Sequence, residues 1–228
     1  MSEFTGFGTE TRKFLRGLGK NNDKAWFEAH RAQYDAYYIE PAKAFVEAVG
    51  LKVEKFAPNI SFEPRVNGSI FRVNRDIRFS KDKTPYKDHI DLWLWEGQRK
   101  TALSGFFLRI RHDRIYLGAG SHGFDKEALS RFREQMNYEK KAKALTSLLK
   151  RAERAGFSIS GRHYKKPPRG FNGNAAGADL VLYAGLSASV ERKRPPELGT
   201  AKFTTYCARE WKKLAPLHRW LMAEVGAR

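Results

Sequence analysis

From residue 9 to residue 56 the apolar positions recur at three and four residues, the period of helices that bury one face. "TETRKFLRGLGKNN" predicts a short helix capped by Thr9, with Phe14, Leu15 and Leu18 on one side and Gly19 near its end. "NNDKAWFEAHRAQYDAYY" predicts a second, over about 22–37, with Asn22 as N-cap, Asp23 in the first turn, and Trp26, Phe27, His30 and Tyr34 at helical spacing. "EPAKAFVEAVGLKVEKFA" predicts a third, with Pro41 in its first turn and Phe45, Val46, Val49, Val53 and Phe56 as its apolar stripe.

After Pro58 the period shortens toward two. "SFEPRVNGSIFRVN" reads as short extended pieces, and Pro85 with dense charge makes 80–88 a loop. "HIDLWLWE" then alternates, with Ile90, Leu92 and Leu94 on one face and Asp91, Trp93 and Trp95 on the other. "LSGFFLRIRHDRIYLGAG" predicts two strands around a two-residue turn at His112–Asp113, with Leu108 and Ile110 facing away from Arg109 and Arg111. Asp125 can cap "KEALSRFREQMN", and a basic helix follows over about 139–155. "FSISG" reads as a strand, "YKKPPRGFNGN" as a loop, "ADLVLYAGL" fits either state, and "SASVERKR" reads as a last strand. The segment from Thr200 to Val225 is helical by its pattern, with a break expected at Pro216. Helices, then strands, then helices predict an α+β fold. We expect a single domain over 1–228, a central mainly antiparallel sheet, and N-terminal and C-terminal helices packed on it through Trp26, Phe27, Phe45 and Val49.

Charge adds a direction to this picture. The formal net charge is +18, and residues 126–228 carry most of it, with twenty-two Lys/Arg against nine Asp/Glu. Such a field attracts nucleic acid, anionic membrane or phosphorylated small molecules without choosing among them. Residues 139–169 alone hold ten Lys/Arg against Glu139 and Glu153. Cys207 is the sole cysteine, so no intramolecular disulfide forms. The first residues show no basic start followed by an apolar run, and no stretch approaches the ~18 apolar residues of a membrane helix. A cytoplasmic protein without a membrane span is the expectation.

The sequence lacks a phosphate-loop signature, a nucleophile elbow, a zinc-protease helix and a Cys-x-x-Cys pair. Its six histidines do not pair at metal-ligand spacing, so no histidine-built metal site is expected, and no cofactor is indicated. "GAGSHG" at 118–123 follows a strand and precedes a capped helix, which suits anion binding, although it lacks the full fingerprint and a strand-to-helix turn that needs small residues explains it better. His122 is the histidine best placed for function there. Asp76, Asp82, Asp88 and Asp91 with nearby lysines have the residue types of a metal-dependent nuclease, without its short spacing.

The densest chemistry lies in "NRDIRFSKDKTPYKDH" at 74–89. Strand-like alternation puts Ile77 and Phe79 on one face and Asp76 and Arg78 on the other, so Phe79 is expected to be buried as an anchor. Arg72, Arg75, Arg78, Lys83 and Lys87 then form a cationic cluster that either ties down a long connection or clamps a phosphate or carboxylate, with Arg169 of "KKPPRG" joining it. Asp76 and Asp82 would hold the arginines, with Tyr86 and His122 in support. No residue stands out as a nucleophile.

Four stretches carry a resemblance: "FTGFGTETRKFLRGLGKNNDKAWFEAHRAQYD" at 4–35, "FRVNRDIRFSKDKTPYKDHI" at 71–90, "GAGSHGFDKEALSRFRE" at 118–134 and "PPRGFNGN" at 167–174. In that order the chain resembles a conserved hypothetical family, mainly bacterial, known as domain of unknown function 2461. The resemblance implies one domain over the full length and no assigned reaction or ligand. Here "NGNAAGADL" stands where relatives often carry His-Pro after "PRGF", which weakens any catalytic role for that loop. The functional expectation is an anion-binding protein, or an enzyme on a phosphorylated or nucleotide-like substrate. The alternatives are a nucleic-acid-binding module using the basic C-terminal half, and a structural protein whose charged motif locks the fold.

Overall fold

A computed structural model describes residues 3–169, 171, 173 and 175–226. Helix α1 (Thr9–Lys20) is followed by α2 (Lys24–Ala29), α3 (Arg31–Tyr34), a π-helical turn (Asp35–Ile39) and α4 (Glu40–Val53). Then come β1 (Ile60–Ser61), β2 (Ile90–Glu96), β3 (Gly105–Ile110), β4 (Arg114–Ser121), α5 (Lys126–Met136) and α6 (Glu139–Arg154). The chain ends through β5 (Ser158–Arg162), α7 (Ala175–Ala178), a 3₁₀ turn (Leu180–Leu182), β6 (Tyr183–Lys193), a second 3₁₀ turn (Pro196–Gly199) and α8 (Lys202–Val225). Among the described residues the strands form one six-stranded sheet in the order β1-β2-β3-β4-β6-β5, antiparallel at every pairing. The α+β architecture, the sheet and the helices at both ends agree with the pattern of the sequence. Part of the "YKKPPRGFNGN" loop, at Gly170, Asn172 and Asn174, lies outside the described residues.

One sheet face is apolar because its strands alternate. Ile90, Leu92 and Leu94 pair across to Ile110, Leu108 and Phe106, which pair in turn to Ile115, Leu117 and Ala119, and all are buried. Helices α4 and α8 cover this face. Phe106 packs against Phe56, Trp211 and His218, and Phe45 of α4 lies 5.5 Å from Phe203 of α8. Phe4 and Phe7 close the same cluster, and the Phe7 amide donates to the Leu198 carbonyl at 2.8 Å.

Helix α8 runs unbroken through Pro216, against the expected break. A proline inside a helix costs about 3 kcal/mol or more. Its stripe of Phe203, Cys207, Trp211, Leu214, His218, Leu221 and Val225 is buried along the whole helix, and that burial outweighs the lost bond. His218 is accommodated because Nδ1 meets Ser104 Oγ and Nε2 meets Glu96 Oε2, each at 2.9 Å.

The second predicted helix is divided. His30 leaves helical geometry at ψ 19°, and its ring stacks 3.9 Å from Trp26. The caps also shift by one residue. Gly8 precedes α1 in place of Thr9, and the Asp23 carboxylate, not Asn22, accepts the Trp26 amide at 2.8 Å. Asn22 is thereby free to bond both backbone groups of Tyr86, at 2.9 Å each. Phe27 stacks on the Tyr86 ring at 4.2 Å, so α2 secures the 74–89 segment where direct packing on the sheet was expected.

Candidate functional site

The other face of β2, β3 and β4 has a different composition, and its register sorts it into two rows. Asp91 lies opposite Arg109, Arg109 opposite Tyr116, and Tyr116 opposite Glu191. One step along, Trp93 lies opposite Phe107, Phe107 opposite Gly118, and Gly118 opposite Ser189. A charged row thus adjoins an aromatic one. Both line an open groove of ≈ 1070 Å³, with Phe71 and Lys87 on one side and His122 on the other.

The charged row is held tightly. Asp91 accepts from Arg109 Nε at 2.7 Å and Nη2 at 3.2 Å, faces His89 Nε2 at 3.2 Å, and lies 3.4 Å from Lys87 Nζ. Burial alone would raise its pKa, but the hydrogen bonds from His89 and Arg109 outweigh burial and hold the carboxyl well below its usual range. His89 Nδ1 faces Asp88 at 2.8 Å, and Asp88 also accepts from Arg111 at 3.0 Å. The cations Lys87, Arg109 and Arg111 therefore meet two carboxylates, and positive charge remains over. Nη1 of Arg109 has no partner among the described residues. Lys87 also lies over the Phe71 ring at 5.2 Å.

Trp95 is buried apart from the main core. Arg99 covers it at 5.7 Å and lies beside Trp93 and Phe71 as well, fixed by its bond to the Gly68 carbonyl at 2.9 Å.

The residues singled out in the sequence separate into two places. Chain pairing continues to Asn74 and Tyr86 and then opens into a loop over 76–84. Arg75 gathers that loop, donating to Asp82 at 2.6 Å, to the Thr84 carbonyl at 3.1 Å and to the Thr84 hydroxyl. Arg78 and Asp76 form a two-bond pair at 2.9 and 2.7 Å, which lowers the Asp76 pKa. Lys83 donates to the Ile77 carbonyl at 3.0 Å. Phe79 is 95% exposed, against the expected burial. The alternation that made it an anchor ends where Asp82 and Thr84 turn the chain back onto Arg75. Tyr86 is buried, while Arg72 and Arg169 are exposed. Lys87 and His122 are the two of these residues that line the groove, and the His122 ring lies 5.2 Å from Phe107.

Trp93, Phe107, Arg109, Arg111 and Tyr116 were not singled out as functional from the sequence, and Asp91 was singled out only as one of four carboxylates of a metal-dependent nuclease type. Their signal was the non-core side of three alternating strands. Among the described residues no three His, Cys, Asp or Glu side chains are grouped to hold a metal ion, and Asp76, Asp82, Asp88 and Asp91 each engage cations. The basic stretch from 139 exposes Lys143, Lys150 and Arg154 on α6, with Lys143 paired to Glu139 at 2.6 Å. No described helix is long and apolar enough to cross a membrane.

Comparison with protein families matches residues 10–220 to one described as "Conserved hypothetical protein (DUF2461)". Comparison with curated proteins and with solved structures finds no match.

Proposed function

The chain belongs to the conserved hypothetical family DUF2461, and we propose that it binds an anionic small molecule in the groove on the open sheet face. The observation that carries this is the surplus of cations around Asp91. Arg109 turns two of its nitrogens to the carboxylate and leaves a third without a partner among the described residues, while Lys87 and Arg111 stand within the same network. A guanidinium held from behind by a carboxylate is preorganised for a phosphate or carboxylate in front. The groove has a size typical of small-molecule sites. Arg75, Arg78 and Lys83 support the loop at 76–84 through their own bonds, which favours the structural role for that part of the motif.

Thermal unfolding with inorganic phosphate or pyrophosphate, at matched ionic strength, tests the reading. A ligand specific to the folded state stabilises it by RT ln(1 + [L]/Kd). The parent and Arg78→Ala should both be stabilised, and Lys87→Ala combined with Arg111→Ala should lose the effect. No anion-specific shift in the parent, or loss of the shift in Arg78→Ala, would overturn it.

A further inference from the structure

The aromatic row beside the cations is built flat, and two glycines make it so. At Gly118 a Cβ would lie 2.6 Å from Phe107 Cζ and 2.8 Å from the Ser189 Cβ. At Gly105 it would lie 2.4 Å from Trp93 Nε1. Phe107 and Trp93 thus lie across space that any other residue would fill, where an ordinary sheet side chain stands off the surface. Tyr116 is drawn down in the same way, its hydroxyl donating to Ser189 Oγ at 2.6 Å. Phe107 and Tyr116 are near parallel, with centroids 5.6 Å apart and planes 27° apart, and His122 extends the surface. Trp93, Phe107 and Tyr116 are half-buried, His122 is exposed, and all four line the groove.

A flat set of rings on a sheet suits a planar partner, because π-faces stack without demanding a particular hydrogen-bond pattern. Arg109 lies directly across from Tyr116 and two residues further along β3 from Phe107, about 7 Å away by strand geometry. That is the reach from a nucleobase to its own 5′-phosphate. Building on the anion-binding proposal, we infer that the groove takes a nucleotide. The base lies on Phe107 and Tyr116, and the phosphate meets Arg109 and Lys87. A groove of ≈ 1070 Å³ is near the upper end of small-molecule sites, which favours a free mononucleotide over a long strand.

Titration calorimetry with deoxyadenosine 5′-monophosphate, deoxyadenosine, inorganic phosphate and a twelve-residue deoxyadenylate strand tests this. The monophosphate should bind at least tenfold tighter than either phosphate or the nucleoside. Phe107→Leu keeps an apolar side chain at that position, and it should cut the preference for the monophosphate over phosphate by roughly tenfold. Equal affinity for phosphate and monophosphate, or an unchanged preference in Phe107→Leu, overturns the nucleotide while leaving the anion site standing. A nucleoside that binds as well as its monophosphate overturns the joint placement of base and phosphate. A strand that binds tenfold tighter than the monophosphate overturns the free nucleotide as the source. Failure of every anion to bind removes the anion site itself.

Discussion

Replacing Asp91 with Asn removes the charge that organises the groove and keeps the size of the side chain. The carboxylate faces Arg109 through two bonds and His89 through one, with Lys87 at 3.4 Å. Hydrogen bonds to charged groups contribute about 1.5–3 kcal/mol each. Arg109 is 42% exposed, so solvent screens part of that, and Asn retains one acceptor oxygen. The net expectation is a loss of about 2–3 kcal/mol at pH 7, a fall in Tm of roughly 4–12 °C for a chain of this size. Because the folded pKa of Asp91 lies below its ordinary 3.8, the carboxylate's contribution is complete above about pH 4. It is lost as pH falls through the folded value. Urea unfolding of parent and variant at pH 7 and near pH 2.5 measures both the size and the sign. A variant within about 0.5 kcal/mol of the parent at pH 7, or a difference no smaller in acid, would refute the reasoning.

Four further outcomes follow from the same geometry. Phe79→Ser should change stability by less than about 0.5 kcal/mol in urea unfolding, because the ring is already in solvent. Arg75→Ala should release the 76–84 loop, seen as faster hydrogen exchange and new proteolytic cleavage there, with little change in Tm. Gly118→Ala should cost at least about 1–3 kcal/mol by chemical denaturation, since its Cβ would lie 2.3 Å from the Ala188 carbonyl oxygen as well as against Phe107. Burial lowers the His218 pKa, so the parent should lose stability as pH falls below the ordinary value of 6.5, a slope that His218→Leu should lack.

The sheet was legible because its strands alternate and one turn is short. Ile90, Leu92 and Leu94 marked a buried face, and His112–Asp113 fixed the partner of β3. The groove was only half legible. Alternation put Asp91 and Trp93 on one side of β2 and Arg109 on one side of β3, but nothing local sets the register that joins Asp91 to Arg109 and Trp93 to Phe107. The charged motif misled for the opposite reason. Its local alternation was real, yet side-chain bonds from Arg75 to Asp82 and Thr84 decided the backbone path and left Phe79 outside. Tertiary burial overrode a local signal once more, carrying α8 through Pro216, while the second helix breaks through a local contact, where the His30 ring meets the Trp26 carbonyl and stacks on the Trp26 ring.

The cluster of Phe4, Phe7, Phe45 and Phe203 imposes an order on synthesis. Phe45 and Val49 leave the ribosome long before Phe203 and Trp211, their cover on the finished sheet. At about 5–20 residues per second, the roughly 150 residues between α4 and α8 take on the order of 10–30 s to translate. Through that interval the apolar stripe of α4 has Phe4, Phe7 and β2 to pack on but lacks the cover of α8. Apolar surface exposed for that long makes a nascent chain prone to aggregate, so its yield in a cell should be lower than its finished stability would indicate.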